Sequence, residues 1–234
     1  MQFLDHFFET HLAFEAQVLA IHNTLRKYKH PLWDFFKPLT KDALFMNYTG
    51  RNMLFTSYPR SFADEFISVG TGQLSQLIQN RWKEYDFFVN AHLPNELRRR
   101  GFDDDFDLPG YLFREDGLKI WEALGEFTTN FVNEVYLTDQ HVANDIVLQL
   151  WANEMTDPSK AAVPGFPTAF QDKATLALTM QCIWWVVSAL HNVHNASQFD
   201  VSPSPIENWI CLSLVLAHIC VLFVSCVVLL LPTR

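Results

Sequence analysis

His191 and Asn195 stand four residues apart at the end of an apolar run, with His194 between them. Side chains four apart on an α-helix lie one above the other, so this imidazole and this amide face the same spot. Two such donors converging on one point can hold a metal ion. The pair also suits an ordinary helix C-terminus, with His in the last turn and Asn as the cap. Near the other end of the chain His6 and His11 sit five apart, which on an α-helix turns one about 140° from the other. They would then share a face only loosely, and either one alone also fits a satisfied, partly buried histidine.

The elements that must position these residues read as helices. From Asp5 to about Lys29, Phe7, Phe8, Leu12, Phe14, Val18, Leu19 and Leu25 recur at three- and four-residue steps, and no Gly or Pro interrupts them before Pro31. Pro31, Pro38 and Pro59 punctuate the next stretch of chain. A second pattern runs from Leu74 to Phe88, with Leu77, Ile78, Trp82 and Tyr85 on one side. A third runs from about Gly117 to Tyr136, burying Leu118, Trp121, Leu124, Phe127, Phe131 and Val135, with Asp116 suited to its positive N-terminus. Asp145 to Met155 forms another and stops at Asp157-Pro158, and Val163 to Pro167 is a loop. Thr175 to Leu190 carries Thr179, Gln181 and Ser188 and reads as a core helix. The fold class is therefore mainly α.

Composition narrows the function. The chain has 234 residues, 49% of them hydrophobic, enough to bury a core in one or two domains. A net charge of −9 excludes nucleic acid as a partner, since that binding needs the opposite sign. Arg98-Arg99-Arg100 is followed by Asp103-Asp104-Asp105 and Asp107, a self-compensating loop rather than a basic patch. Cys182, Cys211, Cys220 and Cys226 match neither a zinc spacing nor a disulfide framework, which points to a reducing, intracellular setting. Ser68-Val-Gly70-Thr-Gly72 lacks the Lys-Ser/Thr of a phosphate loop. The start, Met1-Gln-Phe-Leu-Asp-His6, has no basic region of a secretory signal.

Several of these stretches share the wording of one family. Ser188-Ala-Leu-His191-Asn-Val-His-Asn195-Ala-Ser-Gln198-Phe-Asp200 resembles the iron-binding helix of lipoxygenases, typically His-Ala-Ala-Val-Asn-Phe-Gly-Gln-Tyr-Asp. Asp5-His6 through His11 to Glu15, followed by His30-Pro31, is similar to the family's run of three His at five-residue steps, a Glu, and a closing His-Pro. Phe45-Met-Asn47-Tyr-Thr-Gly-Arg51 resembles the Asn…Ala-Arg element of its substrate region. Leu108-Pro109 through Arg114-Glu-Asp116-Gly117-Leu118 to Trp121-Glu122, and Gly165-Phe-Pro167, match further motifs in the same order. The resemblance implies part of a helical lipoxygenase catalytic domain over residues 1–200, without the family's β-barrel domain. It also implies a non-haem iron that oxygenates polyunsaturated fatty acids with O₂ to hydroperoxides. Carried over residue by residue, it makes His6, His191 and Asn195 metal ligands and places Gln198 and His11 around them. Asn47 and Arg51 fall to the substrate region.

Two of the family's five ligands have no counterpart. The first imidazole, five residues before His6, is replaced by Met1, as if the chain began within a longer helix. The carboxylate of a terminal Ile is not matched by an end reading Pro232-Thr-Arg234. The expectation is an impaired dioxygenase, and the alternative is a non-catalytic, tail-anchored or lipid-binding protein derived from the family. Beyond Asp200 the wording changes. Residues 201–208 read as a linker, and Trp209 to Leu231 form an uncharged apolar run longer than the roughly 20 residues of one bilayer crossing. That run is either a single-pass C-terminal membrane anchor or a tail appended by a faulty gene model. The corresponding location is cytoplasmic or membrane-associated.

Overall fold

The computed structural model describes residues 6–52, 55, 71–102 and 109–195, and among these there is no strand. The first helix, α1, changes its winding twice: it is a π-helix over His6–Leu12, an α-helix over Ala13–Ile21 and a π-helix again over His22–Arg26. Next come α2 (Leu32–Thr40), α3 (Ala43–Arg51), α4 (Thr71–Glu84), α5 (Phe87–Asn90) and α6 (Leu93–Arg99). The long α7 (Leu112–Val135), α8 (Asp139–Ala143) and α9 (Ile146–Thr156) lead to α10 (Lys173–Asn195), which carries a π-turn at Val186–Leu190.

Helix α10 is the axis of the bundle. Leu176, Ala177, Met180, Cys182, Ile183, Trp184 and Trp185 are all buried, so the helix has no wet stripe, as expected of a core element. It packs most extensively on α7. There the Gln181 amide donates to the Trp121 carbonyl at 2.7 Å, and Gly125 leaves room for it: a Cβ at Gly125 would stand 3.0 Å from Gln181 Nε2. Trp184 meets the rings of Phe35 and Phe127, which joins α2 and α7 to the axis. Trp151, Phe166 and Phe170 form a second aromatic cluster beneath α9. The helix starts reflect side-chain chemistry. Asp86, Asp145 and Asp172 accept from backbone N–H groups two or three residues into α5, α9 and α10, covering donors that the first turn leaves unmet.

Four sequence expectations need correction. Helix α7 begins at Leu112, five residues before Gly117, so Asp116 lies in its second turn and pairs with Lys119 at 3.0 Å instead of capping. Pro38 does not interrupt α2, which continues to Thr40, because near a C-terminal turn one missing N–H is a small loss. The pattern from Leu74 to Phe88 is broken after Glu84, where Asp86 turns extended and starts α5. Arg98 and Arg99 end α6 rather than lie in a loop, and Arg99 and Arg100 pair with Glu96 one turn back. Asp103 to Asp107 fall outside the described residues, as do Met1, Gln198, the linker 201–208 and the apolar run 209–231.

Candidate metal centre

The π-wound start of α1 packs against the π-turn of α10. The first of these segments carries His6 and His11, and the second borders His191. In an α-helix His6 and His11 would point apart, but in a helix bonded from i to i+5, residues five apart are stacked one turn above the other. The local winding therefore turns a loose pair into a close one, with His6 Nε2 and His11 Nε2 3.2 Å apart. His191, at the C-terminal edge of the other π-turn, completes the group. The candidate ligand nitrogens of His6, His11 and His191 all lie within 4.8 Å of one another. Their ring centroids are 4.9–5.1 Å apart.

The π segments of α1 and α10 share a side-chain contact that sequence reading missed. Thr10 donates its hydroxyl to the His6 carbonyl at 2.7 Å, Thr24 to Ala20 at 2.6 Å and Ser188 to Trp184 at 2.5 Å. Each hydroxyl serves a carbonyl four residues back, as Thr156 and Thr179 also do in α-wound turns, so the bond accompanies the π winding without specifying it.

The environment favours neutral imidazole. His6 is buried, and burial first, then the charges that His11 and His194 would carry, hold its pKa well below the usual histidine value. Neutral imidazole is the form that ligates metals. His191 is buried, and Asn195, also buried, comes one helical turn later on the same face. The ring of His194 meets His6 edge-on at 5.6 Å, a contact that its i+3 spacing from His191 could have signalled. Asn47 on α3 is buried and grips His11 at two points: its Oδ1 lies 2.9 Å from His11 Nδ1, and its Nδ2 donates to the His11 carbonyl at 3.1 Å. Arg51, one turn further along α3, pairs with Glu15 and ties α3 to α1. Asn47 and Arg51 thus brace the histidine helix.

The donor set fits a transition metal. Two nitrogens about 2.1 Å from one ion stand about 3 Å apart when adjacent and about 4.2 Å apart when opposite. The spacings here approach that range, and imidazole suits iron, zinc and copper alike.

Fold and site together define a helical protein with an internal cluster of imidazoles drawn from two crossing π-wound helices. The family model described as Lipoxygenase matches residues 1–206, and the chain belongs to the lipoxygenase family. It is 30% identical over 201 residues to the polyunsaturated fatty acid lipoxygenase ALOX15B of Homo sapiens, covering 84% of this chain and 28% of that one. Against the linoleate 9/13-lipoxygenase of Pseudomonas aeruginosa it is 30% identical, covering 82% of this chain and 27% of the relative. It superimposes on a lipoxygenase crystallised anaerobically in complex with arachidonate, with a TM-score of 0.76 at 27% identity over 85% of this chain and 30% of that one. With a coral 8R-lipoxygenase the TM-score is 0.74 at 29% identity, over 83% and 29%. The chain spans less than a third of the length of these relatives.

Proposed function

We propose that this chain supplies the iron-holding helices of a lipoxygenase-type dioxygenase that inserts O₂ into polyunsaturated fatty acids to give hydroperoxides. The observation that carries the reading is the convergence of His6 and His191, from opposite ends of the described chain, with Asn195 one turn beyond. In this reading His6, His191 and Asn195 hold the metal, and Gln198, three positions further along the sequence, supports them. Iron held by these side chains would supply the one-electron chemistry for hydrogen-atom removal from a methylene between two cis double bonds, returning the electron and the proton when O₂ is taken up so that the product is a hydroperoxide. The chain's own part is to keep the imidazoles neutral and fixed and to exclude water with the aromatic side chains packed around them. By the family resemblance Asn47 and Arg51, which brace α1, would also lie toward the acyl chain.

The second reading is a lipid-binding protein of this family that does not oxidise its ligand. Purified protein with ferrous iron and linoleate or arachidonate, monitored by conjugated-diene absorbance, separates the two. Diene formation with stoichiometric iron that is lost in His191→Ala supports the dioxygenase. Iron-loaded protein that forms no diene supports the second reading, and protein that takes up no iron overturns the metal centre.

A further inference from the structure

We infer that His194 is a ligand of the metal centre in this chain, an imidazole that α10 supplies beside His191. The inference rests on the reading of the cluster as a metal centre and adds to it, since the family wording His-Ala-Ala-Val-Asn has Val where this chain has His194.

Helical spacing makes the residue available. Seen down α10, position i+3 lies about 60° to one side of His191 and position i+4 about 40° to the other, so His194 and Asn195 flank it on one face. Side chains at i and i+3 of one helix do share metals, as the Glu-x-x-His pairs of di-iron bundles show. Ring geometry agrees. An imidazole nitrogen about 2.1 Å from an ion puts the ring centre about 3.2 Å from it, so two rings on one ion stand about 4.5 Å apart at a right angle and about 5.6 Å apart at 120°. The His6 ring centre is 5.0 Å from that of His11, 5.1 Å from that of His191 and 5.6 Å from that of His194. His194 thus keeps the separation from His6 that a shared ion requires. Its ring is only partly buried, yet Nδ1 is shut off from solvent, so the edge carrying Nδ1 is turned into the protein. Nδ1 is the donor atom that His194 offers. The tightest group of nitrogens, within 4.8 Å of one another, is that of His6, His11 and His191, and the open side of His194 leaves its ring room to close the remaining gap by side-chain rotation. Donor chemistry favours the step, because imidazole suits iron, zinc and copper, whereas a carbonyl oxygen such as that of Asn195 suits harder ions.

The test uses the full chain titrated anaerobically with Co²⁺, a spectroscopic stand-in for ferrous iron. Affinity is read from visible absorption and the number of imidazole ligands from X-ray absorption. His194→Ala should lower the imidazole count by one and weaken binding by more than about 100-fold, beyond the roughly 10–100-fold cost of losing a partner that only orients a ligand. Asn195→Ala should leave the count unchanged. A second readout needs no variant to fold. Diethyl pyrocarbonate, which acylates neutral imidazole nitrogens, should modify His194 in the metal-free wild type and spare it once Co²⁺ is bound, while the exposed His141 reacts in both states. If His194→Ala does not fold, this labelling decides. An unchanged imidazole count in His194→Ala, or modification of His194 that Co²⁺ does not slow, overturns the inference and leaves the dioxygenase reading standing. A centre that includes His194 but forms no diene overturns the dioxygenase and leaves His194 a ligand. Failure of the wild type to bind Co²⁺ overturns both.

Discussion

A single carboxylate shows how much one side chain decides here. Asp145 caps α9 through its Oδ1, accepting from Leu148 N–H at 3.0 Å, while its Oδ2 accepts from His30 at 2.9 Å and from the Tyr136 hydroxyl at 2.8 Å. His30 Nδ1 accepts from Leu32 N–H, so its proton lies on Nε2 and points at Asp145. Burial opposes ionisation of Asp145, but the bonds from His30, the Leu148 N–H and Tyr136 outweigh it and pull its pKa down to about 2. A depressed carboxyl stabilises the fold above its unfolded pKa of about 4, and the contribution is lost as pH falls from about 4 through about 2. Since Asp145 is partly exposed, screening reduces its share to about 1–2 kcal/mol. Asp145→Ala should lower stability at neutral pH by about 2–4 kcal/mol in urea unfolding, through the lost cap and the buried donors left behind. The penalty should shrink when the melt is repeated near pH 2. A penalty independent of pH would mean that the charge plays no part.

At the scale of elements, packing often rests on the shape of a short loop. Gly165 has φ +74°, in the left-handed region, and a Cβ there would fall 2.5 Å from the Asp86 carboxylate. Asp86 cannot easily yield, because it caps α5 through Val89 N–H, and the adjoining Phe87 N–H is bonded to the Pro164 carbonyl at 2.8 Å. Gly165→Ala therefore combines backbone strain of about 1–2 kcal/mol with damage to a helix cap worth about 1 kcal/mol. The expected loss is about 2–3 kcal/mol by thermal or denaturant unfolding, and a variant as stable as the parent would show that the loop can rebuild. The sequence marks Val163 to Pro167 as a loop and Gly165-Phe-Pro167 as a family motif. It does not name Asp86, nearly eighty positions away, as the reason for the glycine.

For the whole molecule the question is which apolar segment faces what. Among the described residues one helix, Lys173–Asn195, is long and apolar enough to cross a membrane, yet 72% of its most apolar window is buried inside the protein. Its Trp184 and Trp185 are spent on contacts with Phe35, Phe127, Phe113 and Trp121. Any membrane attachment is therefore assigned by proposal to Trp209–Leu231, which carries no charge. If that run inserts, Leu216→Arg with Phe223→Arg should release the chain into the soluble fraction after carbonate extraction, since each charge near the bilayer centre costs about 2.5–3.5 kcal/mol. Unchanged sedimentation with membranes would assign the attachment elsewhere.

Taken alone, the sequence determined the helical class, the buried character of α10 and the residue types that could meet a metal. Three- and four-residue periodicity and donor chemistry are local properties that a linear string carries. It misplaced the start of α7, where helical winding continues through Arg114 and Asp116 without an apolar stripe to announce it. It also let His6 and His11 share a face only loosely, because spacing was converted to direction with α-helical geometry. Only the tertiary structure decided that α1 winds as a π-helix there, that His11 joins His6 and His191, and that Asn47 holds it. Those outcomes depend on which carbonyl each backbone N–H reaches when two helices press together, and that choice is made by long-range packing rather than by neighbouring residues.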